Sequence, residues 1–262
     1  MDGSARPRGR RVPGHRYTNQ YESIPGHHSP PGSSFIRTAS ERPPVDIYID
    51  TASPDRIRAA DRLCGVDGVT TNPSIVAGTD RTYREVVATA AEITDGPVFA
   101  QVLADDADGI VRQARGYQDW ADHVVAKIPA TRPGFEALGR LRASGVPAGI
   151  TVVFTVEQAV LAAKNDATFV APYVGRIDDS GDDGLGTTRR IQSVFDAQGF
   201  ETEVLAASIR NTSQATALYE CGVDAITMSP PVLEAHVDCP DTDESVAGFE
   251  AAWDGRAPPL SE

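Results

Sequence analysis

The run Val124-Val125-Ala126-Lys127-Ile128-Pro129 decides how this chain is read. Apolar residues so closely spaced, with two valines and an isoleucine, predict a buried strand of a parallel sheet rather than a solvated surface. A lysine in its middle is out of place. The chain has only two lysines, Lys127 and Lys164, and its other twenty-two cationic side chains are arginine. Burial disfavours an ammonium ion, and a neutral amine is a nucleophile toward carbonyls, the first step of Schiff-base catalysis. Arginine stays protonated and cannot do this. The structural alternative is a lysine at a strand end that snorkels its amine to water.

Outward from this run the pattern is strand, turn, helix, repeated. Strands are predicted at 45–50, 68–71, 98–103, 124–128, 148–154, 168–173, 203–207 and 225–228. Amphipathic stretches lie between them at 82–93, 107–120, 134–144, 155–163, 187–198 and 212–220, with a last helix at 246–253. Eight strands alternating with helices predict a (β/α)8 TIM barrel over residues 45–254. An open doubly wound sheet is the competitor, but no GxGxxG follows a strand.

Residues 1–44 form an Arg/Pro/Gly-rich segment with seven arginines against three acids and no periodicity, which predicts a disordered tail. Residues 255–262 form a short C-terminal tail. The net charge is −13, so the body beyond the basic segment carries −17. That balance argues against nucleic acid or an anionic membrane as partner. A lysine-poor surface with 24 Asp and 13 Glu suits high salt, where counterions screen repulsion between carboxylates. Three cysteines without CxxC spacing indicate neither a disulfide framework nor a zinc site. The five histidines form no HxxxH group, so no metal is expected. No apolar run is long enough to span a membrane and no secretory signal is visible, so a cytoplasmic location is expected.

In a barrel of this kind, reacting groups collect at the carboxyl ends of the strands. Asp50 ends the first strand, and Thr70-Thr71-Asn72-Pro73 the second. Gln101, Lys127 and Thr151 mark the third, fourth and fifth. Tyr173 and Arg176 follow the sixth, and Ser208 and Arg210 the seventh. Each has a plainer explanation. Asp50 could cap the next helix, Asn72-Pro73 is a common turn, and Gln101 and Thr151 could satisfy backbone groups. Tyr173 could serve packing, and the arginines could pair with the many aspartates at little gain. Recurrence of a polar residue at seven successive predicted strand ends favours a shared site. Arg176, Arg210 and Ser208 together suit a phosphate monoester. The acid-rich run Asp178–Gly184 lacks the full calcium-loop pattern and reads as a solvated loop.

These segments resemble the transaldolase family, in particular its small branch that includes fructose-6-phosphate aldolase. The resemblance rests on Ile47-Tyr48-Ile49-Asp50-Thr51, Gly68-Val69-Thr70-Thr71-Asn72-Pro73-Ser74 and the Lys127 strand. Ala171-Pro172-Tyr173-Val174-Gly175-Arg176-Ile177-Asp178 and Ala206-Ala207-Ser208-Ile209-Arg210 extend it. It implies a metal-free, cofactor-free class I aldol reaction on sugar phosphates. Lys127 would be the Schiff-base lysine and Asp50 the proton acceptor, with Tyr173, Gln101 and Thr151 handling a water. Thr71, Asn72, Arg176, Ser208 and Arg210 would bind substrate. A homo-oligomer, pentamer or decamer, is also implied, with the last helix reaching a neighbour.

Three positions depart from the transaldolase pattern: Gln101 replaces Glu, Tyr173 replaces Phe, and Gly149 replaces Asn. The first two resemble the aldolase subgroup and favour fructose-6-phosphate aldolase. Gly175-Arg176-Ile177-Asp178-Asp179 and Phe200-Glu201-Thr202-Glu203 look more like small transaldolases, which keeps dihydroxyacetone transfer open. A barrel isomerase without a covalent lysine and a non-catalytic sugar-phosphate binder are the rivals from other classes.

Overall fold

The computed structural model describes residues 44–253. The basic segment 1–44, apart from Pro44, and the tail 255–262 lie outside the described residues. Eight parallel strands close on themselves in chain order, β1 (Asp46–Asp50), β2 (Gly68–Thr70), β3 (Val98–Gln101), β4 (Val124–Pro129), β5 (Ala148–Val153), β6 (Phe169–Pro172), β7 (Glu203–Ile209) and β8 (Ala225–Met228). β1 pairs with β8 through Asp46–Ala225 to Ile49–Met228, which removes both sheet edges. The fold is the (β/α)8 barrel that the strand rhythm predicts.

Helices follow the strands as α1 (Pro54–Cys64), α2 (Pro73–Ala77), α3 (Tyr83–Ile93), α4 (Ala107–Tyr117), α5 (Arg132–Arg142) and α6 (Val156–Lys164). Then come α7 (Val174–Asp179), α8 (Gly184–Gln198), α9 (Thr212–Cys221), α10 (Pro230–Glu234) and α11 (Pro240–Trp253). Their starts are written in the sequence. Ser53, Asn72, Thr82, Asp106, Thr131, Thr155, Asp183 and Asn211 each accept a backbone N–H at a helix amino end. Such caps contribute about 1 kcal/mol apiece. The run Asp178–Gly184 is exposed as expected as far as Asp183, but only 180–183 are a turn, its ends belonging to α7 and α8. Asp178 and Asp179 close α7, Asp178 Oδ1 accepts Gly184 N–H at 2.9 Å, and Asp183 Oδ1 accepts Gly186 N–H at 2.8 Å. Aspartate caps helices better than it continues them, so two helix ends meeting look like a loop in sequence.

Two apolar layers hold the barrel. One lies between the sheet and the helices, around Ile49, Ile128, Ile150, Leu138 and Ile191. The other fills the barrel interior with Tyr48, Phe99, Val125, Phe169 and Leu205. The Phe99 ring stands 5.1 Å from that of Tyr48 and 5.0 Å from that of Phe169, both tilted or edge-on as aromatic quadrupoles prefer. Side chains alternate across a strand, so two residues beyond each of Tyr48, Phe99 and Val125 comes Asp50, Gln101 and Lys127. An apolar floor thus carries a polar layer above it.

Two strands break register at the mouth. β5 shifts against β6 between Ile150 and Val153, and β7 shifts against β8 between Ala206 and Ile209. Inside each shift lies a residue with left-handed backbone, Val152 (φ 59°) and Ser208 (φ 60°). For a β-branched valine that conformation is strained.

Candidate active site

Lys127 is 2 % exposed, and its amine donates to the Thr71 carbonyl at 3.4 Å. It does not reach bulk water, so the snorkelling alternative does not describe it. Its strand neighbours in register are Gln101 on β3 and Gly149 on β5. Lys164, by contrast, sits exposed in the last turn of α6.

Asp50 is not a helix cap. Ser53 caps α1, accepting from Arg56 N–H at 3.4 Å, and the Asp50 carboxylate faces the barrel interior instead. Thr70 donates to its Oδ1 at 2.7 Å, and Thr227 Oγ1 lies 2.7 Å from Thr70 Oγ1. Burial raises the Asp50 pKa above the usual aspartate value. The Lys127 charge, the Thr70 hydroxyl and the Arg176 charge pull it back only in part.

Thr70 is the threonine that reaches Asp50. The Thr71 side chain turns the other way, donating to the Phe99 carbonyl at 3.3 Å, and it is the Thr71 carbonyl that meets the lysine. A three-residue strand gives too few alternations to set the phase from sequence alone. Asn72 caps α2, its Oδ1 accepting from Ser74 N–H at 3.0 Å and Ile75 N–H at 3.1 Å. That fixes which end of the amide is oxygen and leaves the –NH2 as the end that can donate to a substrate.

Across the mouth, Thr151 Oγ1 donates to Tyr173 Oη at 3.2 Å, both residues being buried. With that lone pair taken, the phenol keeps its own proton for another acceptor. Arg176, at the surface of α7, lies with its guanidinium 5.1 Å from the centre of the Tyr173 ring. Ser208 is the next-to-last residue of β7 and has left-handed backbone. Arg210 forms a two-pronged ion pair with Asp179, Nη1 to Oδ1 at 2.7 Å and Nη2 to Oδ2. Gly175 lets these pieces meet, since a Cβ there would stand 2.5 Å from Arg210 Nε and 2.6 Å from the Ser208 carbonyl.

Gly149 has a partner that sequence reasoning missed. A Cβ at this position would come within 2.3 to 2.6 Å of the Phe169 ring. The ring occupies the volume a side chain at 149 would need, so the wall beside Lys127 is aromatic there rather than amide. Also missed were Thr227 and two tyrosines outside the barrel. Gln101 N–H donates to Tyr83 Oη, and Tyr117 donates to the Gln101 carbonyl at 2.9 Å.

Solved structures share the fold at low identity. Orotidine 5′-monophosphate decarboxylase from Metallosphaera sedula aligns with a TM-score of 0.52 at 13 % identity, over 79 % of this chain and 98 % of that one. A mutant flavocytochrome b2 with pyruvate bound aligns at 0.55 and 10 %, over 72 % and 57 %. Much nearer in sequence is a probable transaldolase of Methanococcus maripaludis strain C5, 41 % identical over 212 residues, 81 % of this chain and 99 % of the relative. A probable transaldolase of Heliobacterium modesticaldum is 40 % identical over 79 % and 96 %. Probable transaldolase 2 of Listeria monocytogenes is 38 % identical over 80 % and 96 %. The sequence model of the transaldolase/fructose-6-phosphate aldolase family matches residues 47–257, and the chain belongs to that family of aldolase- and transaldolase-type enzymes.

Proposed function

We propose that the protein is a fructose-6-phosphate aldolase acting through a Schiff base on Lys127. The observation that carries this is a buried lysine amine on the interior of the barrel mouth, within the field of a partly buried carboxylate. The Lys127 amine adds to C2 of the ketose phosphate and water leaves, giving an iminium. Asp50 takes the proton of the C4 hydroxyl as the C3–C4 bond breaks, and the electron pair flows to the iminium nitrogen. Glyceraldehyde 3-phosphate departs and an enamine remains. Protonation of that enamine through a water held by Tyr173, Gln101 and Thr151, then hydrolysis, releases dihydroxyacetone. Asn72 and the Thr71 segment orient the substrate, and Arg176, Ser208 and Arg210 hold its phosphate. A neutral amide at Gln101 cannot act as a carboxylate base, whereas a phenol tethered by Thr151 can pass a proton, which favours release over transfer.

Transaldolase activity has support of its own. Relatives at 38–41 % identity carry that name, and there the enamine would be handed to an aldose phosphate, drawn from fructose 6-phosphate or sedoheptulose 7-phosphate. The decisive assay is fructose 6-phosphate in molar salt, with and without erythrose 4-phosphate. Sustained glyceraldehyde 3-phosphate release without acceptor supports the aldolase, and release only with acceptor makes it a transaldolase. Borohydride should load Lys127 in the presence of ketose and fail in Lys127→Met. Loading at Lys164 would sink the mechanism.

We also infer a cytoplasmic enzyme of carbohydrate metabolism, feeding the pentose phosphate pathway and adapted to high salt. The net charge of −13 supports the adaptation to high salt, and the family supports carbohydrate metabolism; among the described residues no helix is long and apolar enough to cross a membrane. A pentamer or decamer is supported by α11, which buries none of its residues in the chain and exposes Val246, Phe249 and Trp253.

A further inference from the structure

The parallel ladder between β2 and β3 stops one rung early, and the missing rung lies at the lysine. Val69 N–H donates to the Pro97 carbonyl at 3.0 Å and Thr71 N–H to the Phe99 carbonyl at 3.1 Å. Continued by the same step, the pattern would have Gln101 N–H donate to the Thr71 carbonyl. It does not. The Tyr83 hydroxyl, from α3, accepts Gln101 N–H in its place and lies 3.4 Å from Thr71 Oγ1. The Thr71 carbonyl, released from the sheet, is the acceptor for the Lys127 amine.

Tyr83 is fixed from behind. Its ring meets those of Tyr117 and Trp120 edge-on at 6.2 and 6.0 Å, and Tyr117 and Trp120 lie 4.4 Å apart. Burial pushes the Tyr83 phenol up to about 12, so it stays a neutral hydroxyl through the working range. Tyr117 donates to the Gln101 carbonyl at 2.9 Å, so both backbone groups of Gln101 are held by phenols rather than by β2.

We propose that Tyr83, supported by Tyr117, is a positioning residue that keeps the β2–β3 rung open, reserving the Thr71 carbonyl for the Lys127 amine and setting the place of Gln101. The alternative arrangement is close at hand. Without the Tyr83 hydroxyl, Gln101 N–H is a donor lacking its partner, and the Thr71 carbonyl is the ladder's own acceptor for it. Closing that rung takes the lysine's acceptor away and draws Gln101 toward β2. The hydrogen bonds of both phenols go to Thr71 and Gln101, not to Arg176, Ser208 or Arg210, so the effect should fall on imine chemistry and spare binding.

This inference rests on the Schiff-base function proposed above, and the experiment separates the two. Full-length wild type, Tyr83→Phe and Tyr117→Phe would be treated with dihydroxyacetone and borohydride. Loading at Lys127 would be timed by mass spectrometry, alongside kcat and KM for fructose 6-phosphate and the melting curve. Tyr83→Phe should load about tenfold more slowly and lose kcat to match, as expected for a misplaced reacting group, with KM within about twofold. Tyr117→Phe should move the same way by less. Wild type that never loads overturns the Schiff-base function and this role with it. Wild type that loads, with Tyr83→Phe loading at the same rate, overturns the positioning role alone. A Tyr83→Phe variant whose KM rises as its kcat falls is merely loosened, which also overturns it. Should that variant not fold, loading of Tyr117→Phe at the wild-type rate overturns the proposal and slower loading with unchanged KM supports it.

Discussion

Thr70 gives its only hydroxyl proton to Asp50 Oδ1 across 2.7 Å, so the 2.7 Å contact between Thr70 and Thr227 has Thr227 as donor. The result is a two-step chain of hydroxyls ending on the carboxylate, each link polarising the next. A hydrogen bond to the charged form lowers a carboxyl pKa. Thr70→Val keeps the shape and removes the bond, so the Asp50 pKa should climb further above the aspartate range. In the mechanism proposed above, cleavage needs Asp50 ionised. The acid limb of the kcat/KM profile should therefore move to higher pH in Thr70→Val, and by less in Thr227→Val. An unmoved limb would mean another group sets it.

The same raised pKa makes Asp50 a stability liability. A carboxyl whose folded pKa lies above its unfolded value contributes stability below the unfolded pKa and loses it as pH rises through the folded one. Asp50→Asn should thus be inactive and yet melt higher than wild type at pH 7. The gap in Tm should widen from acid pH upward, which a pair of melting series would show. A gap that does not vary with pH would separate the substitution's effect from titration.

Gly149 and Phe169 form one packing unit. Gly149→Asn alone forces the ring aside and should cost about 1–3 kcal/mol by overpacking, while Phe169→Ala alone should cost about 3–5 kcal/mol through the cavity it leaves. The double variant should be less destabilised than the two singles added together, by about 1 kcal/mol or more. Denaturant titrations of the four proteins measure that coupling, and simple additivity would mean the ring can move away unaided.

Arg210 is tied to Asp179, and the Arg210 hydrogen bonds hold that carboxyl below the usual range. Both partners are half exposed, so the pair adds little to stability. Asp179→Asn should leave the melting temperature almost unchanged. It should lower KM for the sugar phosphate several-fold, because the guanidinium no longer has to leave a carboxylate, and leave loading by unphosphorylated dihydroxyacetone unaffected. An equal change with both substrates would place Asp179 in the chemistry rather than in phosphate capture.

Much of this was legible in the residues because strand alternation is strict. Asp50, Gln101 and Lys127 could be set on one face by counting in twos from Tyr48, Phe99 and Val125. Thr70 is not among the expected site residues although it bonds Asp50, because β2 has only three residues and counting in twos sets no phase there. The short helices α2, α7 and α10, of five, six and five residues, are below the length at which a 3.6-residue period can be seen. Tyr83 and Tyr117 act from helices outside the sheet, and no local pattern couples position 83 to position 101. Gly149 was visible as a missing amide, but that Phe169 fills its place is a contact across two strands.

The left-handed residues Val152 and Ser208 have a bearing on how this chain could change. Glycine at either place would relieve backbone strain and should raise stability, and it is one substitution away in kind. It would also free the backbone beside Thr151, which holds the Tyr173 phenol, and beside Arg210. The most durable version of this barrel and the best-shaped mouth are therefore different sequences, and the present one keeps the mouth.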